Sequence, residues 1–191
     1  MKKSSLAFLL VVALQSGANG ATGNLVVYDD ADGAGFSHDG ADCTNMAFFN
    51  ETTFVHGGST GIAIPKVDTA GAGWLAETSY SASSDYAGIS FWINAGDSAT
   101  EVTSLGVYDA SFAGHFLHLE DVHGAALPAN TWIHFQIPFS SPFFAFNSYT
   151  PPETVKEICI ISHNAEGMTK FFYLDEVTLT GADIFKNGFE N

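Results

Sequence analysis

Arginine is absent from the 191-residue chain, and six lysines face 21 acidic residues. Lys2 and Lys3 belong to the leader-like start, so the part after residue 20 carries 4 minus 21, a formal charge of −17. Such a surface repels phosphate backbones and anionic lipid. That excludes nucleic acid and charged membrane as partners and leaves free cations and neutral ligands. Long apolar runs are also missing, and none approaches the ~20 residues of a spanning helix. Helical periodicity is the third absence. After the first residues no window of about 11 residues keeps a 3.6 period, and Gly, Ser, Asn and Asp break the chain every ~8–12 residues. Cysteine is scarce, with only Cys43 and Cys159.

The start, "MKKSSLAFLLVVALQSGANGA", has two lysines, an apolar run from Leu6 to Leu14 and then small residues. This is the layout of a secretory signal peptide spanning residues 1–20, with cleavage near Gly20 or Ala21. No cysteine lies near that cut to carry a lipid. Export places Cys43 and Cys159 where disulfides persist, so a bridge is expected, with two buried thiols as the alternative. The remaining ~170 residues fit one domain, taken as 21–181, followed by a tail over 182–191.

Alternating segments between turn residues predict strands over 24–29, 46–51, 59–65, 74–79, 88–95, 103–108, 114–120, 131–139, 155–162 and 170–180. The pattern predicts an all-β fold, a two-sheet antiparallel β-sandwich or jelly roll of about 8–10 strands. The segment 140–153 reads as a long apolar loop whose Phe143, Phe144 and Phe146 cap the core, with a binding role as the alternative.

Three strands share one design. In "TWIHFQIP" the set Ile133, Phe135 and Ile137 faces the core, while Trp132, His134 and Gln136 point the other way. "GISFWINAG" opposes Ile89, Phe91 and Ile93 to Ser90, Trp92 and Asn94, and "GHFLHLEDV" opposes Leu117 and Leu119 to Phe116, His118 and Glu120. If these strands share a sheet, Trp92, Phe116, His118, Glu120, Trp132, His134 and Gln136 form one outer face. Aromatic rings pack on the apolar faces of pyranoses, and the polar side chains bond hydroxyls, so this face suits a neutral polysaccharide or glycan. The alternative is a second layer of packing under loops.

His115 and His118 are three residues apart and fall on opposite faces of a strand, which argues against a chelate. The same face admits an enzyme reading, a small lyase or glycosidase using His118, Glu120 or His134 as acid and base. Most glycosidases need two carboxylates in a cleft, and only Glu120 is so placed. No residue is assigned as catalytic. A third reading is a surface or adhesion protein addressed by its tail.

Near the start "YDDADGAG" groups Asp29, Asp30 and Asp32 before Gly33, and near the end "YLDEVTL" carries Asp175 and Glu176. Clustered carboxylates suit calcium, although Asp and Gly are also ordinary turn residues. In order, "NLVVYDD", "FVHGGSTGIAI", "YAGISFWINAG", "NTWIHFQIPFS" and "KFFYLDEVTLTG" resemble the jelly-roll carbohydrate-binding modules with a galactose-binding-like fold. The resemblance covers nearly the whole chain after the leader. It implies a structural calcium joining the first strand, the H-x-G-S-like turn and the last strand. Asp30 and Asp175 would supply side chains, and His56, Gly57 and Gly58 backbone oxygens. The chain departs from the pattern in an extra glycine within "HGGST" and in Glu176, where a second Asp is frequent. It also implies a sugar site on the concave sheet or in the edge loops. The mid-strand positions of Trp92 and Trp132 favour the sheet.

The ending "ADIFKNGFEN" resembles the D-x-I-F-x-x-G-F-E endings of exported gammaproteobacterial proteins, with Asn191 beyond the usual end. It implies a secreted or cell-surface protein of a Gram-negative bacterium. The tail is then a sorting signal, or a segment docking Phe185 and Phe189 on the sandwich.

Overall fold

A computed structural model describes residues 23–82, 84–100, 103–144 and 152–181. The expected leader (1–20) and tail (182–191), with Phe146 and Tyr149 of the long loop, lie outside the described residues. The chain runs through β1 (Leu25–Asp29), β2 (Ala31–Asp32), β3 (Phe36–Ser37), β4 (Phe48–Glu51), β5 (Gly61–Lys66), β6 (Gly71–Ser81) and β7 (Gly88–Asn94). It continues through β8 (Thr103–Tyr108), β9 (Gly114–His118), α1 (Leu119–His123), β10 (Trp132–Pro138), β11 (Thr154–Ser162) and β12 (Gly167–Thr180). All ten expected strands are present; β2 and β3 are additional two-residue pieces.

Two antiparallel sheets form the sandwich, a jelly roll. The first runs β10-β7-β12-β1-β2, with β5 also paired to β12 and β4 to β5; the second runs β3-β6-β11-β8-β9. The 14-residue β12 organises the first sheet. One of its edges pairs with β7, and the other pairs with β5 at Phe171–Leu174 and with β1 at Val177–Leu179. Between these stretches the register shifts against β7, and Glu176 takes a left-handed φ of 52° at the bulge.

The inward sets are those the alternation assigns. Ile89, Phe91, Ile93, Phe135 and Ile137 are buried, as are Phe172 and Leu174 of β12. Across the interface they meet Leu105, Val107, Leu117, Ile158 and Ile160, with Trp74 also fully buried. Each such side chain contributes about 1.5–3 kcal/mol of burial. Phe144 is buried beside Phe139, whereas Phe143 is 43% exposed, so one of the loop's described phenylalanines caps the core.

Cys43 and Cys159 are bridged, with Cα atoms 6.0 Å apart and a sequence separation of 116. Closing so long a loop is worth about 4–5 kcal/mol in the chain-entropy model. It fastens the loop before β4 to the centre of the second sheet.

One local expectation fails. The strand over 114–120 stops at His118, and Leu119–His123 form a single helical turn. Acidic Glu120 and Asp121 open that turn, His123 closes it, and Gly124 ends it in the left-handed region, its N–H bonding the Glu120 carbonyl.

Candidate functional site

Four of the seven residues expected on one face do share it. β10 and β7 pair so that Trp132 lies opposite Asn94, His134 opposite Trp92 and Gln136 opposite Ser90. The other three do not. β9 joins the edge of the second sheet through β8, so Phe116 and His118 occupy the opposite side of the sandwich, and Glu120 sits in α1. The Glu120 Oε2 accepts the Thr103 N–H at 3.0 Å, and burial pushes this carboxyl up. His118 Nδ1 lies 3.1 Å from Ser104 Oγ. With His134 on the first sheet, the acid/base set His118, Glu120 and His134 is split across the sandwich and cannot converge on one bond.

The 56–60 turn folds over the β7–β10 half of the face. The His56 imidazole stacks on Trp92 at 3.8 Å and 15°, and His134 stacks on the same indole at 4.5 Å and 18°. Trp132 meets His56 edge-on at 5.5 Å. Trp92 is thus flanked by two near-parallel imidazoles, and the protein itself occupies its stacking surface. His134 Nε2 is 2.7 Å from Ser90 Oγ, and burial holds the imidazole below the ordinary histidine value.

Carboxylates hold that turn in place. Asp175, fully buried, accepts the amides of His56 (2.8 Å) and Gly57 (3.1 Å) on Oδ2 and that of Glu176 (2.9 Å) on Oδ1. Burial pushes its carboxyl up, against the pull of these donors. Asp30 Oδ1 accepts the amides of Ser59 (2.6 Å) and Thr60 (2.7 Å), and the amides of Thr60 and Ser59 keep its carboxyl below the usual range. The second glycine of the pair has a steric reason. Gly58 has a φ of 61°, and a Cβ there would lie 2.4 Å from Asp30 Oδ1, which the amides of Ser59 and Thr60 hold in place; a Cβ on Gly57 would meet only the flexible end of Glu176.

Oxygen donors of this kind suit calcium. Among the described residues His56, 3.2 Å from Glu176, is the one ion-pair partner of Asp30, Asp175 and Glu176, so no fixed cation neutralises them. The three carboxylates do not converge as a set within 4.8 Å, so an ion here would take its remaining ligands from backbone carbonyls. Cys43, Glu157 and Cys159 do cluster that closely, but two of those atoms form the disulfide.

The other half of the face is open, and residues outside the expected set build it. Phe48, Asn50 and Glu51 of β4, Ala63 of β5, and Phe171 and Tyr173 of β12 line a depression of about 340 Å³. Phe48 is 49% exposed, and Phe54, 39% exposed, stacks on Tyr173 at 4.5 Å and 19°. Pairing runs Phe48 to Ala63, Ala63 to Tyr173, Tyr173 to Asn94 and Asn94 to Trp132. Directly opposed residues share a face, so the depression and Trp132 are two ends of one row. Small Ala63 forms the low floor between Phe48 and Tyr173. Burial would raise the Glu51 carboxyl, but the amides of Thr53 and Phe54 outweigh it and the group lies below its ordinary value. The signal for this half was alternation in "AFFN" and "KFFYLD", where Phe48, Phe171 and Tyr173 oppose the core set.

No family model and no curated protein matches the sequence. Among solved structures, the chain resembles a mutant family 29 carbohydrate-binding module complexed with mannohexaose, with a TM-score of 0.50 at 8% identity over 85% of this chain and 95% of that one. A family 11 module from Clostridium thermocellum, in complex with a β-1,3-1,4-mixed-linked tetrasaccharide, gives 0.49 at 16% identity over 85% and 98%. The CBM22-1 xylan-binding domain from Paenibacillus barcinonensis gives 0.46 at 10% over 85% and 97%. At such identities the likeness is one of fold.

Proposed function

We propose that this chain is an exported, non-catalytic module that binds a neutral polysaccharide or glycan across the outer face of its first sheet. The observation that carries the reading is the open depression in which exposed Phe48, with Phe171 and Tyr173, stands beside Asn50 and Glu51. Such rings cover the apolar faces of sugar rings, while amide and carboxylate bond hydroxyls. Among the described residues no lysine lines the depression, and the chain is strongly acidic, so a neutral ligand fits better than an anionic one. Mannohexaose, the ligand in the family 29 structure, belongs to that class. Trp132 and Gln136 extend the groove along the same face, with the stacked Trp92 and His134 beside them.

Titration calorimetry against a panel of neutral polysaccharides tests the assignment. Binding to at least one is expected, and Phe48→Ala with Tyr173→Ala should abolish it. Unchanged affinity in that double variant would sink the groove.

Calcium completes the proposal as a structural ion at the 56–60 turn, where Asp30 and Asp175 would contribute side-chain oxygens. A bound ion stabilises the native state by mass action, so the melting midpoint should fall in EDTA and return with added calcium. A midpoint indifferent to both would remove the ion from the account.

A further inference from the structure

In the second sheet β11 sends Ile158 and Ile160 into the core, so Glu157 and Cys159 point the other way, toward the loop that carries Cys43. Both are buried, at 1% and 0% exposure. The two direct cross-strand partners of Cys159 are glycines, Gly73 on β6 and Gly106 on β8. A Cβ on Gly73 would lie 2.2 Å from Cys43 Sγ, so the missing side chain makes the room in which that sulfur sits.

Glu157 is the unexpected member of this group. Its Oε1 accepts the Cys43 N–H at 3.3 Å and lies 3.3 Å from Cys43 Sγ and 3.6 Å from Cys159 Sγ. Disulfide sulfurs carry no proton, so neither sulfur satisfies the carboxylate. Among the described residues no cationic side chain forms an ion pair with it. A buried carboxylate without a counter-charge is costly, and packing alone does not call for one. Two sulfurs and a carboxylate oxygen, all within 4.8 Å of one another, are a donor set for a thiophilic divalent cation. The distances fit such an ion. Zn–S bonds of about 2.3 Å and Zn–O bonds of about 2.0–2.2 Å set S···O edges of about 3.5–3.7 Å in a tetrahedron. The two S···O contacts match these to within a few tenths of an ångström, so only the edge between the sulfurs must open, to about 3.8 Å.

We propose that reduction of the Cys43–Cys159 bridge converts it into a site for zinc or a similar thiophilic divalent ion, held by the two thiolates and the Glu157 carboxylate. The reductant cleaves the S–S bond and leaves two thiols: a dithiol becomes a disulfide, or a phosphine takes the oxygen of water and becomes its oxide. The metal then replaces the two thiol protons, which pass to solvent. Cys43 lines a depression of about 530 Å³ with Asp42 and Thr44, which gives the ion its entry and a water for its fourth position. Calcium, which takes oxygen ligands only, does not compete there. Disulfide and metal are then alternative fasteners of one loop to one strand, the first for oxidising surroundings and the second for reducing ones.

The test titrates cadmium, a spectroscopic stand-in for zinc, into the full chain in calcium-containing buffer, oxidised and after reduction with a phosphine that brings no thiolate of its own. The reduced protein should develop the ultraviolet thiolate-to-cadmium charge-transfer band, saturating at one ion per chain, and zinc should displace it. The oxidised protein should show no band. Glu157→Gln keeps an acceptor for the Cys43 N–H but removes the charge. It should weaken cadmium at least as much as the ~10–100-fold that losing a hydrogen-bond partner of a metal ligand costs. Zinc should also raise the melting midpoint of the reduced protein, and where reduction alone unfolds the chain, zinc should restore its circular dichroism. A reduced protein without the band, or one that stays unfolded with zinc present, overturns the site. Equal cadmium affinity in Glu157→Gln overturns it as well, because the thiols would then bind metal without the carboxylate.

Discussion

Trp92 and Phe48 point from the same face of the same sheet, yet one is clasped and the other bare. The difference lies in their surroundings. Trp92 has His134 directly across on β10 and the 56–60 turn folded over it, whereas Phe48 has small Ala63 opposite it on β5 and meets Phe171 edge-on at 6.1 Å. The turn stays over Trp92 because the buried Asp175 collects its amides. A carboxylate on a different strand thus helps to cover one face of Trp92 and has no counterpart at Phe48.

Removing that carboxylate should break the contrast most sharply. Asp175→Ala leaves the amides of His56, Gly57 and Glu176 without their acceptor, at a cost of about 3 kcal/mol. For a domain of this size that lowers the melting midpoint by about 6–12 °C. The turn should also lift from Trp92, so acrylamide quenching of tryptophan fluorescence should increase. Unaltered quenching would mean that the stack holds the turn without Asp175.

Trp92→Ala tests the closed half directly. Loss of a half-buried indole flanked by two imidazoles should cost about 2 kcal/mol, with little change in glycan affinity once the variant is folded. Phe48→Ala should do the reverse, shifting stability by no more than about 0.5 kcal/mol while weakening binding about tenfold, or ~1.4 kcal/mol. If Trp92→Ala proves the worse binder and Phe48→Ala the less stable protein, the roles of the two halves must be exchanged.

The strands and their inward faces were legible because burial writes a period of two into β7 and β10. Sheet membership was not. Phe116 and His118 carry the same alternation as Trp132 and His134, but no local pattern records that β9 pairs with β8 rather than with β10. The helical turn at Leu119–His123 is too short to display a 3.6 period. The open half of the groove was hidden differently. Phe48 belongs to a four-residue strand, and its exposure depends on Ala63 and Tyr173, which lie 15 and 125 residues away in sequence. The resemblance names Asp30, Asp175 and the glycine turn as a place where the chain's two ends meet around calcium. The structure adds that the turn's amides of His56, Gly57, Ser59 and Thr60 bond those carboxylates.

The smallest expected effect is a pH dependence in the clasp. Burial holds the His134 imidazole below its ordinary value, with the Glu176 charge opposing and His56 reinforcing that shift. The unfolded chain therefore takes up its proton first as pH falls. Between the ordinary value near 6.5 and the lower native one, the unfolded state binds more protons, so stability drops on acidification through that window and is fully present above it. The change should be modest, because solvent reaches the ring and screens it. Melting curves from pH 7.5 down to about 5 should show this decline. His134→Gln, which keeps a partner for Ser90, should flatten it. An unchanged slope in that variant would remove His134 from the account of the decline.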